Sequence, residues 1–163
     1  MFEKYGEFND YTELNAAAKG FKDEGDTESL YALARENGID EEDAQDYLED
    51  MVPELCNELM AAVGKLKVEC KDLKITELMA DWAEYIRVQC VEDRAMAAAV
   101  RRKDKSLKDC IAKLMLWAFN NQNPIPEDIK KAAKINAGKV TFGIPGMATA
   151  KRLITEYYLG GEA

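Results

Sequence analysis

Four cysteines are the residues of this sequence that could bind a metal or act as nucleophiles. They lie at Cys56, Cys70, Cys90 and Cys110, with spacings of 14, 20 and 20 residues. A four-cysteine zinc site usually takes its ligands in close pairs, because two ligands from one tight turn restrict each other's position. No close pair is present, and each cysteine falls near the apolar stripe of a predicted helix. The spacing favours buried free thiols, so we expect no metal and no cofactor.

The sequence contains no histidine. Nucleophile pairs of the Ser-His and Cys-His kinds are therefore excluded, and so is any metal site with histidine ligands. Carboxylate, Lys, Tyr or Cys chemistry remains open, but no pattern places such groups in a recognisable catalytic arrangement. We expect a protein that is not an enzyme.

Charge is distributed unevenly along the 163 residues. Residues 1–50 contain 16 acidic and 4 basic residues, whereas residues 101–163 contain 6 acidic and 12 basic residues. An acidic end can imitate nucleic acid or dock on a basic protein, and a basic end can contact phosphate groups. Two solvated faces, or two ends that attract each other, are the alternative.

The densest acidic segment is "IDEEDAQDYLED", residues 39–50. Ile39, Ala44, Tyr47 and Leu48 are expected to face inward, so the acids must spread over the outward face. Repulsion between acids three or four positions apart is unfavourable on a helix, and a basic partner would relieve it. Improved solubility is the alternative explanation. The predicted partner-binding residues, called the acidic face below, are Asp40, Glu41, Glu42, Asp43, Asp46, Glu49 and Asp50.

The segment "CVEDRAMAAAVRRKDKSLKDC", residues 90–110, predicts a tight corner between two helices, with Cys90 and Cys110 on neighbouring helices. Basic residues around this corner could bind nucleic acid or another anion, and a solvated helical corner is the alternative. "GIPGMATAK" does not match the phosphate-loop pattern, but it places two more cations near the first turn of a helix. The predicted nucleic-acid or anion contacts are Arg101, Arg102, Lys103, Lys105, Lys108, Lys151 and Arg152.

Apolar residues at helical spacing predict an all-α fold, a single compact domain of about seven or eight helices. Asp10, Asp26 and Asp40 are expected N-caps, and Gly25 is an expected helix end. The apolar run "LMLWAF" predicts a central buried helix, and at most one short strand is expected near 139–142. Residues 1–52 are expected to form an acidic helical subdomain, and residues 53–163 a helical core with a basic C-terminal part.

Residues 85–114, "YIRVQCVEDRAMAAAVRRKDKSLKDCIAKL", resemble the core of the PcfK-like family of accessory proteins from mobile elements and phages. A similar downstream element extends the resemblance to about residue 158. The features that match are Tyr85 and Ile86, Cys90, Glu92 and Asp93, the small residues 95–100, the Lys-rich corner 103–105, Leu107 with Cys110, Gly146 to Ala148, and the pair Tyr157 and Tyr158.

The resemblance implies an accessory protein of a mobile element, and some PcfK-like proteins are grouped with inhibitors of type II CRISPR nucleases. We therefore expect a binding protein that inhibits such a nuclease, with the Cas9 ribonucleoprotein as the suspected partner. It would occlude a nucleic-acid-binding surface, and its basic half would contact RNA or DNA. We expect no membrane partner, and the sequence favours a cytoplasmic location in the host bacterial cell. A conjugation or plasmid scaffold protein without inhibitor activity is the alternative.

Overall fold

The computed structural model describes residues 1–160 and confirms an all-α fold. Residues 1–109 form one compact unit, and a second unit begins at Cys110. Within residues 1–160 there are nine helices and two strands of two residues each: α1 Tyr11–Glu24, α2 Thr27–Glu36, α3 Glu41–Leu48, α4 Glu58–Leu73, α5 Leu78–Glu92, α6 Arg94–Arg101, α7 Leu107–Asn120, β1 Asn123–Pro124, α8 Glu127–Ala132, β2 Thr141–Phe142 and α9 Met147–Leu159.

The first three helices are delimited largely by the predicted residues. The carboxylate of Asp10 accepts the backbone N–H groups of Thr12 and Glu13, which fixes the start of α1. Gly25 ends α1 in the left-handed conformation, with φ at 71°. Asp26 accepts the N–H of Ser29 at the start of α2. α1 packs on α2, and α2 packs on α3. Their shared apolar core includes Leu14, Leu30, Leu33, Ala44 and Tyr47.

A contact between two glycines places α4 directly against the corner that joins α2 to α3. Gly38 lies in this corner with φ at +71°, and Gly64 lies in α4. A Cβ atom on Gly64 would lie 2.3 Å from the carbonyl oxygen of Asn37, so only glycine fits at this position. The two backbones therefore touch, and the acidic α3 is held close to α4.

The sequence predicts one long helix, bent near Cys90, where the structure has two. α5 ends at Glu92, and Asp93 takes an extended conformation. The side chain of Asp93 then accepts the N–H of Ala95, 2.8 Å away, and caps α6. α4, α5 and α6 pack against one another. Cys90 lies on α5 and Cys110 on α7, so α6 lies between them in the chain and they are not on consecutive helices.

The second unit contains most of α7, the antiparallel strands β1 and β2, and helices α8 and α9. β2 lies at the predicted strand position, but its partner β1 was not expected, because Asn and Pro have low strand propensity. In α9, Leu153, Ile154 and Tyr158 are buried, and Tyr157 is half-buried.

α7 is not the wholly buried helix that its apolar sequence predicts. Cys110 and Leu114 are buried, but Met115, Leu116 and Phe119 are exposed. Across residues 1–160, none of the helices is both long enough and apolar enough to cross a membrane.

Candidate functional site

The acidic face is built on α3 and the residues that flank it. Glu41, Glu42 and Asp43 occupy the first turn of α3, where the positive end of the helix dipole stabilises them. Asp46, Glu49 and Asp50 lie at or beyond the last turn, where the dipole opposes negative charge. All seven acids are exposed except Asp43, which is half-buried.

Two lysines from other helices neutralise the ends of this cluster. Asp40 occupies the N-cap position of α3, as the sequence predicts, but its side chain makes no capping hydrogen bond. It pairs instead with Lys67 of α4, at 2.5 Å. At the other end, Lys22 of α1 pairs with Asp50 at 2.6 Å and donates to the backbone carbonyl of Tyr47. A cation at the C-terminal end of a helix offsets its dipole. The structure therefore relieves part of the repulsion that the sequence suggested.

Beside α3 lies a groove of about 240 Å³ that combines carboxylates with apolar side chains. Asp43 and Asp46 line it from α3, and Glu54 lines it from the loop before α4. Val52 and Met60 contribute apolar surface. The sequence prediction does not include Glu54, because a single acid in a loop gives no periodic signal.

The seven basic residues predicted to contact nucleic acid or another anion are not all exposed. Arg101 is 1% exposed, so its prediction as a surface contact for nucleic acid is wrong. Arg102, Lys103 and Lys108 are exposed at the α6–α7 corner, and Lys105 is half-buried there. Arg102 also forms two hydrogen bonds with Asp104, at 2.8 and 2.6 Å. Lys151 and Arg152 are exposed on α9 in the second unit, where Arg152 pairs with Glu156.

Beneath the α6–α7 corner lies Lys65, a fully buried cation of α4 that the sequence prediction does not include. Its Nζ donates to the backbone carbonyls of Arg102 and Lys105, each at 2.6 Å, and pairs with Glu7 at 2.5 Å. All three donors of the ammonium group therefore have acceptors. In the sequence, Lys65 looks like an ordinary surface residue of an amphipathic helix, and only its distant partners explain its burial.

Glu69 lies one turn further along α4 and is 2% exposed. Its Oε1 accepts the backbone N–H of Leu107, at 3.2 Å, where α7 begins. Burial raises the pKa of Glu69 to about 7, although the charge of Lys65 and this hydrogen bond act in the opposite direction. Near neutral pH this carboxyl group is therefore partly protonated.

Arg101 completes the buried polar cluster. Its Nη2 donates to the side-chain oxygen of Asn37 at 2.9 Å, and the Asn37 amide donates to the carbonyl of Leu33. Its guanidinium carbon lies 5.8 Å from the centre of the Phe2 ring. Burial lowers the pKa of Arg101, which neighbouring acids oppose. The cluster links the N-terminal segment, the α2–α3 corner, α4 and α6, so its role is structural.

None of the four cysteines forms a disulfide, and those at Cys56, Cys90 and Cys110 are buried as predicted, whereas Cys70 is half-buried. Burial raises the pKa of Cys56 and Cys90 to about 12, so both are protonated at neutral pH and are poor nucleophiles. Within residues 1–160, no group of three or more Cys, Asp or Glu side chains is arranged to hold a metal ion.

Comparisons with protein-family models, with curated proteins and with solved structures find no match for the chain. The resemblance of residues 85–114 to the PcfK-like family therefore stays a prediction.

Proposed function

We propose that this chain is a non-enzymatic binding protein that covers a positively charged, nucleic-acid-binding surface of another protein. The proposed target is a bacterial CRISPR effector nuclease, with the Cas9 ribonucleoprotein as the first candidate. The chain would be carried by a phage or mobile element and act in the host cytoplasm. The acidic face supports this mode of binding, whereas only the resemblance to the PcfK-like family suggests the target.

The groove lined by Asp43, Asp46 and Glu54 is the observation that carries the proposal. A Lys or Arg side chain has an aliphatic stem and a cationic end. Val52 and Met60 offer the stem an apolar surface, and the three carboxylates offer acceptors for the charged end. Nucleic-acid-binding surfaces of proteins are rich in such side chains.

The rest of the acidic face extends this attraction over a larger area. Only Asp40 and Asp50, of its seven acids, form an ion pair within residues 1–160. The other five therefore leave negative charge that a partner can neutralise. Such complementarity accelerates association and makes it sensitive to salt.

RNA or DNA contact at the α6–α7 corner is a second part of the proposal. Arg102, Lys103, Lys105 and Lys108 remain its candidates. Lys65 and Glu69 support this corner from beneath, because they bind its backbone on both sides. Arg101 is omitted because its side chain is buried.

The test replaces the groove carboxylates by their amides, as Asp43→Asn, Asp46→Asn and Glu54→Gln. We expect association with the Cas9 ribonucleoprotein to slow by about tenfold or more at low salt, because charge steering is lost. The salt dependence of the association rate should also weaken. Surface-immobilised ribonucleoprotein and a salt series give both quantities, and a DNA-cleavage assay gives inhibition.

A matched control removes the same amount of charge elsewhere, as Glu24→Gln, Glu28→Gln and Asp81→Asn, all exposed in the first unit. This control should slow association much less than the groove variant. Equal slowing by both variants would mean that net charge matters and the groove does not. Wild-type protein that neither binds the ribonucleoprotein nor inhibits cleavage would contradict the proposed target.

A further inference from the structure

The second unit exposes large apolar side chains close together in the chain. Phe119 is 78% exposed and Leu116 is 62% exposed, both on α7. We define the apolar face as Met115, Leu116, Phe119, Phe142, Ile144 and Met147, each of which is more than half exposed. Single exposed apolar residues are ordinary, but several together on a monomer usually mark a surface that binds something.

Packing of Gly143 on α7 holds the two parts of this face together. A Cβ atom on Gly143 would lie 2.3 Å from the carbonyl oxygen of Ala118, so the segment lies against the last turns of α7. Thr141 Oγ1 adds a hydrogen bond to the side chain of Gln122, at 2.8 Å. Phe142 and Ile144 flank Gly143 and therefore lie at the same end of α7 as Phe119.

Spacing on the helix arranges the remaining members. Leu116 follows Met115 directly, and Phe119 lies four residues after Met115, so the three share one side of α7. Met147 begins α9 three residues after Ile144. The face thus combines a helical stripe with the edge of a short extended segment.

The charge of the second unit indicates what would cover this face. Residues 110–160 contain seven basic and three acidic residues. The acids Glu127 and Glu156 are already in ion pairs within the second unit. Lys131, Lys134 and Lys139 are exposed, and none of the three forms an ion pair within residues 1–160. An apolar partner surface with flanking carboxylates would satisfy both features.

We propose that the apolar face binds a protein segment that forms an amphipathic helix with acidic flanks. Its apolar stripe would cover Leu116, Phe119 and Phe142, and its carboxylates would pair with the lysines. The apolar face belongs to the second unit and the acidic face to the first, so the two proposals rest on different residues and either can fail without the other.

Two other occupants fit the surface less well. Single-stranded nucleic acid binds through bases that stack on aromatic side chains. Only two of the six side chains of the apolar face are aromatic, so this occupant fits poorly. A second copy of this chain, bound through the same face, would bring together two second units that each carry net positive charge, which is unfavourable.

The test uses a synthetic helical peptide with Leu and Phe at helical spacing and Glu at the flanking positions. A matched peptide carries Lys in place of each Glu. Methionine methyl groups labelled with ¹³C give the readout by NMR. We expect the acidic peptide to shift the signals of Met115 and Met147, but not that of Met96, which is buried in the first unit. The basic peptide should bind at least about tenfold more weakly.

Variants of the full chain show whether the same residues carry binding. Leu116→Gln with Phe119→Gln should weaken binding of the acidic peptide about tenfold or more, since apolar contacts at the centre of an interface dominate its energy. The control Val88→Gln with Val91→Gln changes two exposed apolar residues of α5 and should leave binding unchanged. Circular dichroism verifies that each variant is folded, and the wild-type methyl signals provide a test that needs no variant.

Four results would overturn the proposal. One is the absence of a shift with either peptide, and another is equal binding of the acidic and basic peptides. A third is a shift of the Met115 and Met147 signals by oligothymidine, which would assign the face to nucleic acid. The fourth is a concentration-dependent dimer that disappears in the Leu116→Gln, Phe119→Gln variant, which would make a second copy the occupant.

Discussion

Lys65 and Glu69 lie one turn apart on α4 and bind the two sides of the α6–α7 corner. Lys65 donates to the carbonyl group of Arg102, directly after α6 ends, and Glu69 accepts an N–H group where α7 begins. A cation suits the C-terminal end of a helix and an anion suits the N-terminal end. Both buried charges therefore have partners of the opposite polarity, which limits the cost of removing them from water.

Glu69 should make the stability of the protein depend on pH. Its pKa is about 7 in the folded state and about 4.5 when unperturbed. Between these two pH values the folded state therefore binds more protons than the unfolded state. The free energy of unfolding should therefore fall as pH rises through this window. Glu69→Gln should abolish this loss and be more stable than wild type at pH 8 by up to about 3 kcal/mol.

Urea unfolding at a series of pH values measures this effect. Glu28→Gln, at an exposed position, serves as the control and should keep the slope of the wild type. If the stability of the wild type and that of Glu69→Gln change with pH in parallel, the carboxyl group of Glu69 is ionised over the whole pH range measured.

At the α6–α7 corner, buried charged side chains form a framework beneath the backbone, and exposed basic side chains form a rim in solvent. Arg101 and Lys65 belong to the framework, whereas Arg102, Lys103 and Lys108 point into solvent. Sequence-adjacent arginines can therefore have opposite roles. Charge reversal at Arg101 would place a carboxylate in the core, so it cannot test a surface function.

Charge reversal of the rim alone should separate binding from folding. Arg102→Glu, Lys103→Glu and Lys108→Glu should abolish RNA or DNA binding, with helicity by circular dichroism unchanged. Arg101→Glu should instead lower the midpoint of thermal unfolding, because it breaks the bond to Asn37 and buries an unpaired charge. Binding that persists in the rim variant with the same salt dependence would show that the corner is only a solvated turn.

Local signals in the sequence predict the elements whose ends depend on nearby residues. Asp10, Gly25 and Asp26 bond to groups within four residues of themselves, and the sequence predicts their positions correctly. Arg101 is different, because Asn37, its hydrogen-bond partner, lies 64 residues away. Burial of a guanidinium group through such a contact leaves no pattern in the sequence. The sequence misses Glu54 for a different reason, because a single acid in a loop gives no periodic signal.

The break at Asp93 shows a second limit. An aspartate inside a run of helical spacing can be either an exposed helical residue or the N-cap of a new helix. Here the extended backbone of Asp93 selects the cap. The exposed half of α7 is a further case, because an apolar residue on the surface looks the same in sequence as one in the core.

Across the whole molecule, the four cysteines lie at different places in the fold, and their side chains differ in exposure. Cys56, Cys90 and Cys110 are buried, and only Cys70 is half-buried. Burial also raises the pKa of Cys70, although less of its side chain is covered. Access of a reagent, rather than reactivity alone, should therefore decide which thiol is modified.

Brief treatment of the native protein with iodoacetamide should modify Cys70 far faster than the other three cysteines. In denaturant all four should react at similar rates, because the unfolded chain exposes them equally. Peptide mass spectrometry identifies the modified positions, and Cys70→Ser provides a control that should show almost no native modification. Rapid native modification of Cys56 or Cys90 would mean that the first unit opens much more often than its packing suggests.

The contact between Gly38 and Gly64 has a consequence for how this protein can evolve. A side chain at either position would collide with the backbone of the other, so neither glycine can be exchanged while the other segment stays in place. Natural variants should therefore tolerate changes among the surface acids of α3 far more readily than at these two positions. A lineage that has lost either glycine must have moved the α2–α3 corner relative to α4, and with it the acidic face.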